Sequence, residues 1–156
     1  MRRDEIFPEL EHAVFDFFFS FSRFEFALKE GGYLQDIKPG AVAQPGWAQF
    51  VASFCTMYAS SAAGTQLIAL NPMRQRVSAA GTLYFAEENF DGNASDLEKV
   101  TRLLKNVRNN LFHGLKHRPG GWTDPARTIE LLHCGAQLIQ ELAELGDIQN
   151  DFSGHY

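Results

Sequence analysis

The chain has 156 residues, 45% hydrophobic and 21% charged, with 19 Asp and Glu against 14 Lys and Arg. That length fits one domain, and the net charge of −5 argues against a general nucleic-acid binder, for which a basic domain is expected. The two cysteines, Cys55 and Cys134, lie far apart without metal-ligand spacing and read as small buried apolar residues of a reducing compartment.

The start, MRRDEIFPEL, carries no export signal, because Asp4 and Glu5 stand where an apolar stretch would begin. Residues 5 to 29 read as a long helix stopped by Gly31 and Gly32. This segment holds most of the aromatic excess. Val14, Phe17, Phe18, Phe21 and Leu28 mark one stripe; Phe15, Phe19 and Phe26 mark another. A helix apolar on two sides is buried centrally or has a second partner, such as another subunit. Asp16, Arg23 and Glu25 interrupt the run, so it is no membrane-spanning helix, and a cytoplasmic protein is expected. Glu25 falls on the first stripe and needs a partner, for which Arg23 and Lys29 are at hand.

Residues 31 to 46, with four Gly and two Pro, form a loop. WAQFVASFCTMYASS, from Trp47, is a second helical run with Phe50, Phe54, Met57 and Tyr58 at helical spacing. Residues 63 to 94 mix breakers with short apolar pieces; they predict a short helix or two and show no convincing strand alternation. Ser95 with Glu98 forms a capping box, after which Leu97, Val100, Leu104, Val107 and Leu111 follow one face until Gly114. KHRPGG is a turn. Asp124 caps the next helix, with Pro125 at its first position and Ile129, Leu132, Ala136, Ile139 and Leu142 as its stripe, closed by Gly146. The expected fold is all-α: an up-and-down bundle of about four to five helices over residues 1–146, with a loose C-terminal tail over 147–156.

Chemistry concentrates in one place. Residues 99 to 118, KVTRLLKNVRNNLFHGLKHR, hold six Lys or Arg, two His and no carboxylate, where an even spread would place about two cations. Screening beyond about 8–10 Å leaves distant carboxylates nearly irrelevant to such a segment. At about 100° per residue, Asn109 and His113 share a side of the helix about 150° or more from its core face, with Arg108 between the two. The trio therefore points away from the chain's own core, either idle in solvent or against something that docks there.

RNNLFH resembles the Arg-x4-His signature, with Asn after the Arg, of HEPN domains, which are small all-helical nucleotide- and RNA-binding modules. The aromatic-rich first helix, FSRFEFALKE, the signature ending a late helix and one further amphipathic helix are similar to a bacterial toxin and defence branch of that superfamily. The bare spacing is weak, since Arg127 and His133 meet the looser spacing used across the family; they lack the Asn and the cationic surroundings.

The resemblance implies an HEPN-like fold and a metal-independent endoribonuclease of toxin-antitoxin or phage-defence type, with no cofactor. Two subunits would pack so that both motifs line one cleft, and an antitoxin or defence-system protein is a further possible partner. The 2′-hydroxyl would be the nucleophile, leaving a 2′,3′-cyclic phosphate and a 5′-hydroxyl. His113 would act as general base or acid, Arg108 would hold the phosphate through its planar fork, and Asn109 would orient either. Arg102, Lys105, Lys116, His117 and Arg118 would be phosphate contacts. His113 and His117 are four apart, but Gly114 interrupts the helix and no carboxylate joins them, so no metal site is expected. His133 and Cys134 cannot face each other on a helix, which argues against a Cys-His nucleophile pair. Some HEPN toxins carry a Tyr two residues after the His, where a partner nucleotidyltransferase modifies them; Leu115 stands there, against that route of regulation. Two rival readings stay open: a catalytically inactive HEPN module that binds nucleotide, RNA or a partner protein, and a helical oligomerisation domain without ligand. In the latter, Arg108 and His113 merely cap helix carbonyls and the remaining cations form a solvated face.

Overall fold

The computed structural model describes residues 7–113 and 124–154, with the backbone alone for His113. In chain order these form α1 (Pro8–Glu30), α2 (Trp47–Phe54), α3 (Ala62–Leu70), β1 (Arg74–Val77), β2 (Leu83–Ala86), α4 (Asp96–His113), α5 (Pro125–Leu145) and α6 (Gln149–Ser153). The molecule is mostly helical, as expected. The described residues hold six helices rather than four or five, together with one antiparallel hairpin. Lys116, His117, Arg118 and the KHRPGG turn lie outside them.

α1 opens with Pro8, carries Glu9 and Glu11 in its first turn and Lys29 in its last, each charge matched to the nearer end of the helix dipole. Leu10, Ala13, Phe17, Phe21, Phe24, Ala27 and Leu28 form its buried edge, and α5 is its most extensive partner, offering Leu132, Leu138, Ile139 and Leu142. At about 1.5–3 kcal/mol for each large apolar side chain fully removed from water, this pair supplies much of the driving force for folding. Gly135 in α5 permits the close approach: a Cβ there would lie 2.7 Å from a ring carbon of Phe17. Of the two stripes expected on α1, Phe17, Phe21 and Leu28 of the first are buried, while its Phe18 is 44% exposed. In the second, Phe15 and Phe19 are 62% and 56% exposed and Phe26 is partly buried.

α4 buries Leu97, Val100, Leu104 and Val107 of its predicted stripe and adds Leu103, while Leu111 is partly buried against the core. The Ser95 hydroxyl accepts a hydrogen bond from the Glu98 backbone N–H at 3.2 Å, which is half of the predicted capping box. The Glu98 carboxylate turns to Arg102 instead, at 3.6 Å. α5 begins as predicted: Asp124 accepts from the Arg127 backbone N–H at 2.9 Å and Pro125 follows at the first position.

Three expectations need correction. The second helix stops at Phe54, where the N–H groups of Met57 and Tyr58 both turn back to the Phe54 carbonyl and close a turn, leaving Met57 67% exposed. The stretch after α3 holds strands. β1 pairs with β2 from Arg74↔Ala86 to Val77↔Leu83, across a loop where Gly81 takes φ +74° and the Ser78 and Thr82 hydroxyls bond each other at 2.7 Å. The tail is not loose through residue 154: Ile148 is buried, and α6 docks on α1, whose Arg23 guanidinium donates to the carbonyls of Phe152 (2.9 Å) and Asp151. Among the described residues, no helix is long and apolar enough to cross a membrane.

Candidate functional site

Two segments pack along α4. On one side the lead-in to β1 is pinned to it: buried Asn106 donates to the Pro72 carbonyl at 3.3 Å, and Asn110 donates to the Met73 carbonyl at 2.7 Å. On the other side stand the loop before α2 and the first turn of α2. That loop doubles back on itself, with Gln35 N–H donating to the Gln44 carbonyl at 3.0 Å and Gly46 N–H to the Tyr33 carbonyl at 2.8 Å. Gly46 is required for the close pass, because a Cβ there would sit 2.6 Å from the Leu34 backbone. Between this loop, α1 and α4 lies a groove of about 300 Å³ lined by Glu25 of α1, Gln35, Gln44, Trp47, and by Lys105, Arg108 and Asn109 of α4.

Arg108 and Asn109 are brought together at this groove. Arg108 Nη1 donates to Asn109 Oδ1 at 3.0 Å, and the guanidinium carbon lies 5.4 Å from the centroid of the Phe112 ring. The guanidinium is thereby flanked by an amide and an aromatic ring, and it bonds no helix carbonyl among the described residues. Phe112 meets Phe18 of α1 edge-on at 5.6 Å, so the exposed aromatic side of α1 runs up to the motif. His113 lies in α4 one helical turn beyond Asn109.

Lys105 is half-buried, its ammonium 5.7 Å from the Trp47 ring centroid. Burial foremost, and then Arg102 and Arg74, hold its pKa below the usual lysine range, against an opposing pull from Glu25. Glu25 accepts the indole N–H of Trp47 at 3.0 Å. That bond supplies the partner Glu25 needs; Arg23, expected in this role, is spent on the carbonyls of α6.

Arg102 serves another group. It lies 3.0 Å from Glu88 and 3.6 Å from Glu98, and its guanidinium sits 5.2 Å from the Phe90 ring centroid. Arg74 and Arg76 approach the same Glu88 at 3.8 and 3.6 Å, and the Glu88 side chain is 1% exposed. Arg74, Arg76, Glu88, Gln35, Gln44 and Trp47 are thus site or near-site residues that no motif in the sequence announces. RQRV and LYFA, either side of SAAGT, are the available signal for the hairpin.

The other candidates separate cleanly. Arg127 donates to the Leu70 carbonyl at 2.5 Å and so ties the start of α5 to α3, while His133 is exposed. A second cavity, about 770 Å³, lies between the start of α1, α3 and α5. The charged groups lining it are Glu9 and Glu130, which would repel a phosphate. Cys134 also borders it, but its thiol is pushed up to about 11, chiefly by burial, and bonds the Ala63 carbonyl at 2.9 Å, as fits a packing residue rather than a nucleophile. Among the described residues, no three His, Cys, Asp or Glu converge as a metal-ligand set. Compared with protein-family models, curated proteins and solved structures, the chain matches none of them.

Proposed function

We propose that this chain is an HEPN-like domain that cleaves RNA without a metal ion, at a site shared between two copies, in the manner of toxin or phage-defence nucleases. The observation that carries this reading is Arg108 beside Asn109 at the edge of a cationic groove, its guanidinium turned to an amide and a ring instead of capping a helix. A guanidinium held in that way is preorganised for the equatorial oxygens of a phosphate. Lys105 adds positive charge to the same groove, and Arg102, paired with Glu88 and Glu98, stands one turn before it on α4.

In this mechanism the proton of the ribose 2′-hydroxyl passes to the imidazole of His113 as the oxygen attacks phosphorus. The bond from phosphorus to the 5′-oxygen breaks, and the departing oxygen takes a proton from a second imidazole, the partner subunit's His113. Charge on the five-coordinate phosphorus is stabilised by Arg108, and Asn109 holds the guanidinium in place. The products are a 2′,3′-cyclic phosphate and a 5′-hydroxyl. The role of His113 rests on the family resemblance.

The exposed aromatic side of α1 supports the second copy. Phe15 and Phe19 stack at 6.1 Å on the outside of the molecule, and Phe18 reaches Phe112 beside Arg108. Aromatics that large, contiguous and outward-facing mark an interface, and one placed here would bring two motifs together.

Incubating single-stranded RNA with the protein in excess EDTA tests the reading. Cleavage that falls by about 10²–10³ in Arg108→Ala supports a charge-stabilising donor. RNA binding without any cleavage would favour the inactive module, and neither binding nor cleavage would favour the ligand-free oligomerisation domain.

A further inference from the structure

The β1–β2 hairpin and its buried carboxylate have no part in the chemistry above, and nothing in a helical bundle requires them. The register Arg76↔Tyr84, with Arg74 two residues away on the same strand, puts Arg74, Arg76 and Tyr84 on one face of the hairpin. Three guanidiniums, those of Arg74, Arg76 and Arg102, converge on Glu88. The carboxylate is 1% exposed, whereas the arginine side chains are 56%, 43% and 38% exposed. One carboxylate cannot engage the N–H groups of three guanidiniums, each of which carries five. Glu88 therefore draws three cations together at the surface, and even with Glu98 3.6 Å from Arg102 the cluster stays net positive. Tyr84 stands at its edge, 46% exposed, with no partner for its hydroxyl among the described residues.

This cluster adjoins the groove. The Asn106 and Asn110 bonds to Pro72 and Met73 hold the start of β1 along the turn of α4 that carries Arg108 and Asn109. Arg74 and Arg102 both act on the ammonium of Lys105, which lines the groove, so hairpin and groove share one field. Fixed cations beside an exposed ring are the elements of a single-stranded nucleic-acid platform: charges follow the backbone and the ring takes a base.

We propose that the β1–β2 hairpin is a platform for single-stranded RNA, carrying the strand beyond the Arg108–Asn109 groove with Arg74, Arg76 and Arg102 on phosphates and Tyr84 under a base. This rests on the reading of RNA as the substrate. An acidic protein segment would satisfy the cations but has no use for the ring, which is why RNA is favoured.

The test is anisotropy of a fluorescein-labelled 12-nucleotide RNA with full-length His113→Ala protein, across about 50–200 mM salt. The R74Q/R76Q variant should bind about tenfold more weakly, with its log–log salt slope reduced by about 1.4, because two phosphates of the single strand keep their counterions. Tyr84→Ala should weaken binding about tenfold, within the range for loss of one base–aromatic stack, while Tyr84→Phe should not. Tyr84 has no described side-chain partner to lose, so this pair decides the matter if R74Q/R76Q fails to fold. If the parent binds and all these variants bind equally with equal salt slopes, the hairpin proposal fails and the groove reading survives. If the parent itself does not bind RNA, both fail. Competition by polyglutamate as effective as RNA of equal charge, with Tyr84→Ala unchanged, overturns the proposal in favour of an acidic protein partner.

Discussion

Arg108 is suited to its proposed task by shape as much as by charge. Its fork is positioned by Asn109 at 3.0 Å and by the ring of Phe112, and a lysine would bring neither the bidentate geometry nor the stacking. Arg108→Lys should therefore lower kcat for RNA cleavage by about 10²-fold with little change in KM, the pattern of an interaction made mainly in the transition state. Lys105 offers a second check, through pH. Its depressed pKa means that the folded protein releases this proton at a lower pH than the unfolded chain, so folding itself gains slightly as pH rises through that window. RNA affinity moves the opposite way, because the groove loses a cation. Affinity measured against pH should start to fall at lower pH than for an ordinary solvated lysine, and Lys105→Arg should abolish that early fall. The Arg–Asn pair and Lys105 were legible in the sequence, because one helix face sets their spacing. The Trp47–Glu25 bond was not: its partners are on different helices, and only folding brings them together.

Among the elements, α4 and α5 were the easiest to foresee. Each has a cap, a one-sided apolar stripe and a stop, and these local signals agree with where the core lies. The hairpin was hidden because its four-residue strands bury neither face completely, so no apolar–polar alternation is written into them. Its positioning carboxylate, Glu88, lies outside both strands. α6 was likewise invisible, being five residues long and dependent on Arg23 far earlier in the chain. The junction of α1 and α5 permits a stability test. Ala is the better helix former by about 1 kcal/mol, yet at position 135 its Cβ would press on the buried Phe17 ring at 2.7 Å and on Leu104 at 3.3 Å. Overpacking of this kind costs about 1–3 kcal/mol. Gly135→Ala should lower stability by up to about 2 kcal/mol in denaturant melts; an increase would mean the helices separate more readily than their packing suggests.

For the molecule as a whole, charge and apolar surface are both unevenly distributed. The chain is acidic by five charges, yet Lys105 and Arg108 line one groove and Arg74, Arg76 and Arg102 gather on Glu88. On α1, Phe15, Phe18 and Phe19 are exposed, the surface that the proposed second copy would cover. Sedimentation equilibrium should give twice the 17.5 kDa of a single chain, and F15E/F19E should reduce that to a monomer and abolish cleavage together. The two apolar stripes of α1 were legible in the sequence as central burial or a second partner, but which Phe would be buried was settled by packing against α5 and not by spacing. The proposed nuclease chemistry itself is tested most directly at the ends of the RNA. Mass spectrometry of fragments released in excess EDTA should find 2′,3′-cyclic phosphate and 5′-hydroxyl termini, absent when folded His113→Ala replaces the wild type. Intact RNA with the wild-type dimer, or the same fragments from His113→Ala, would contradict it.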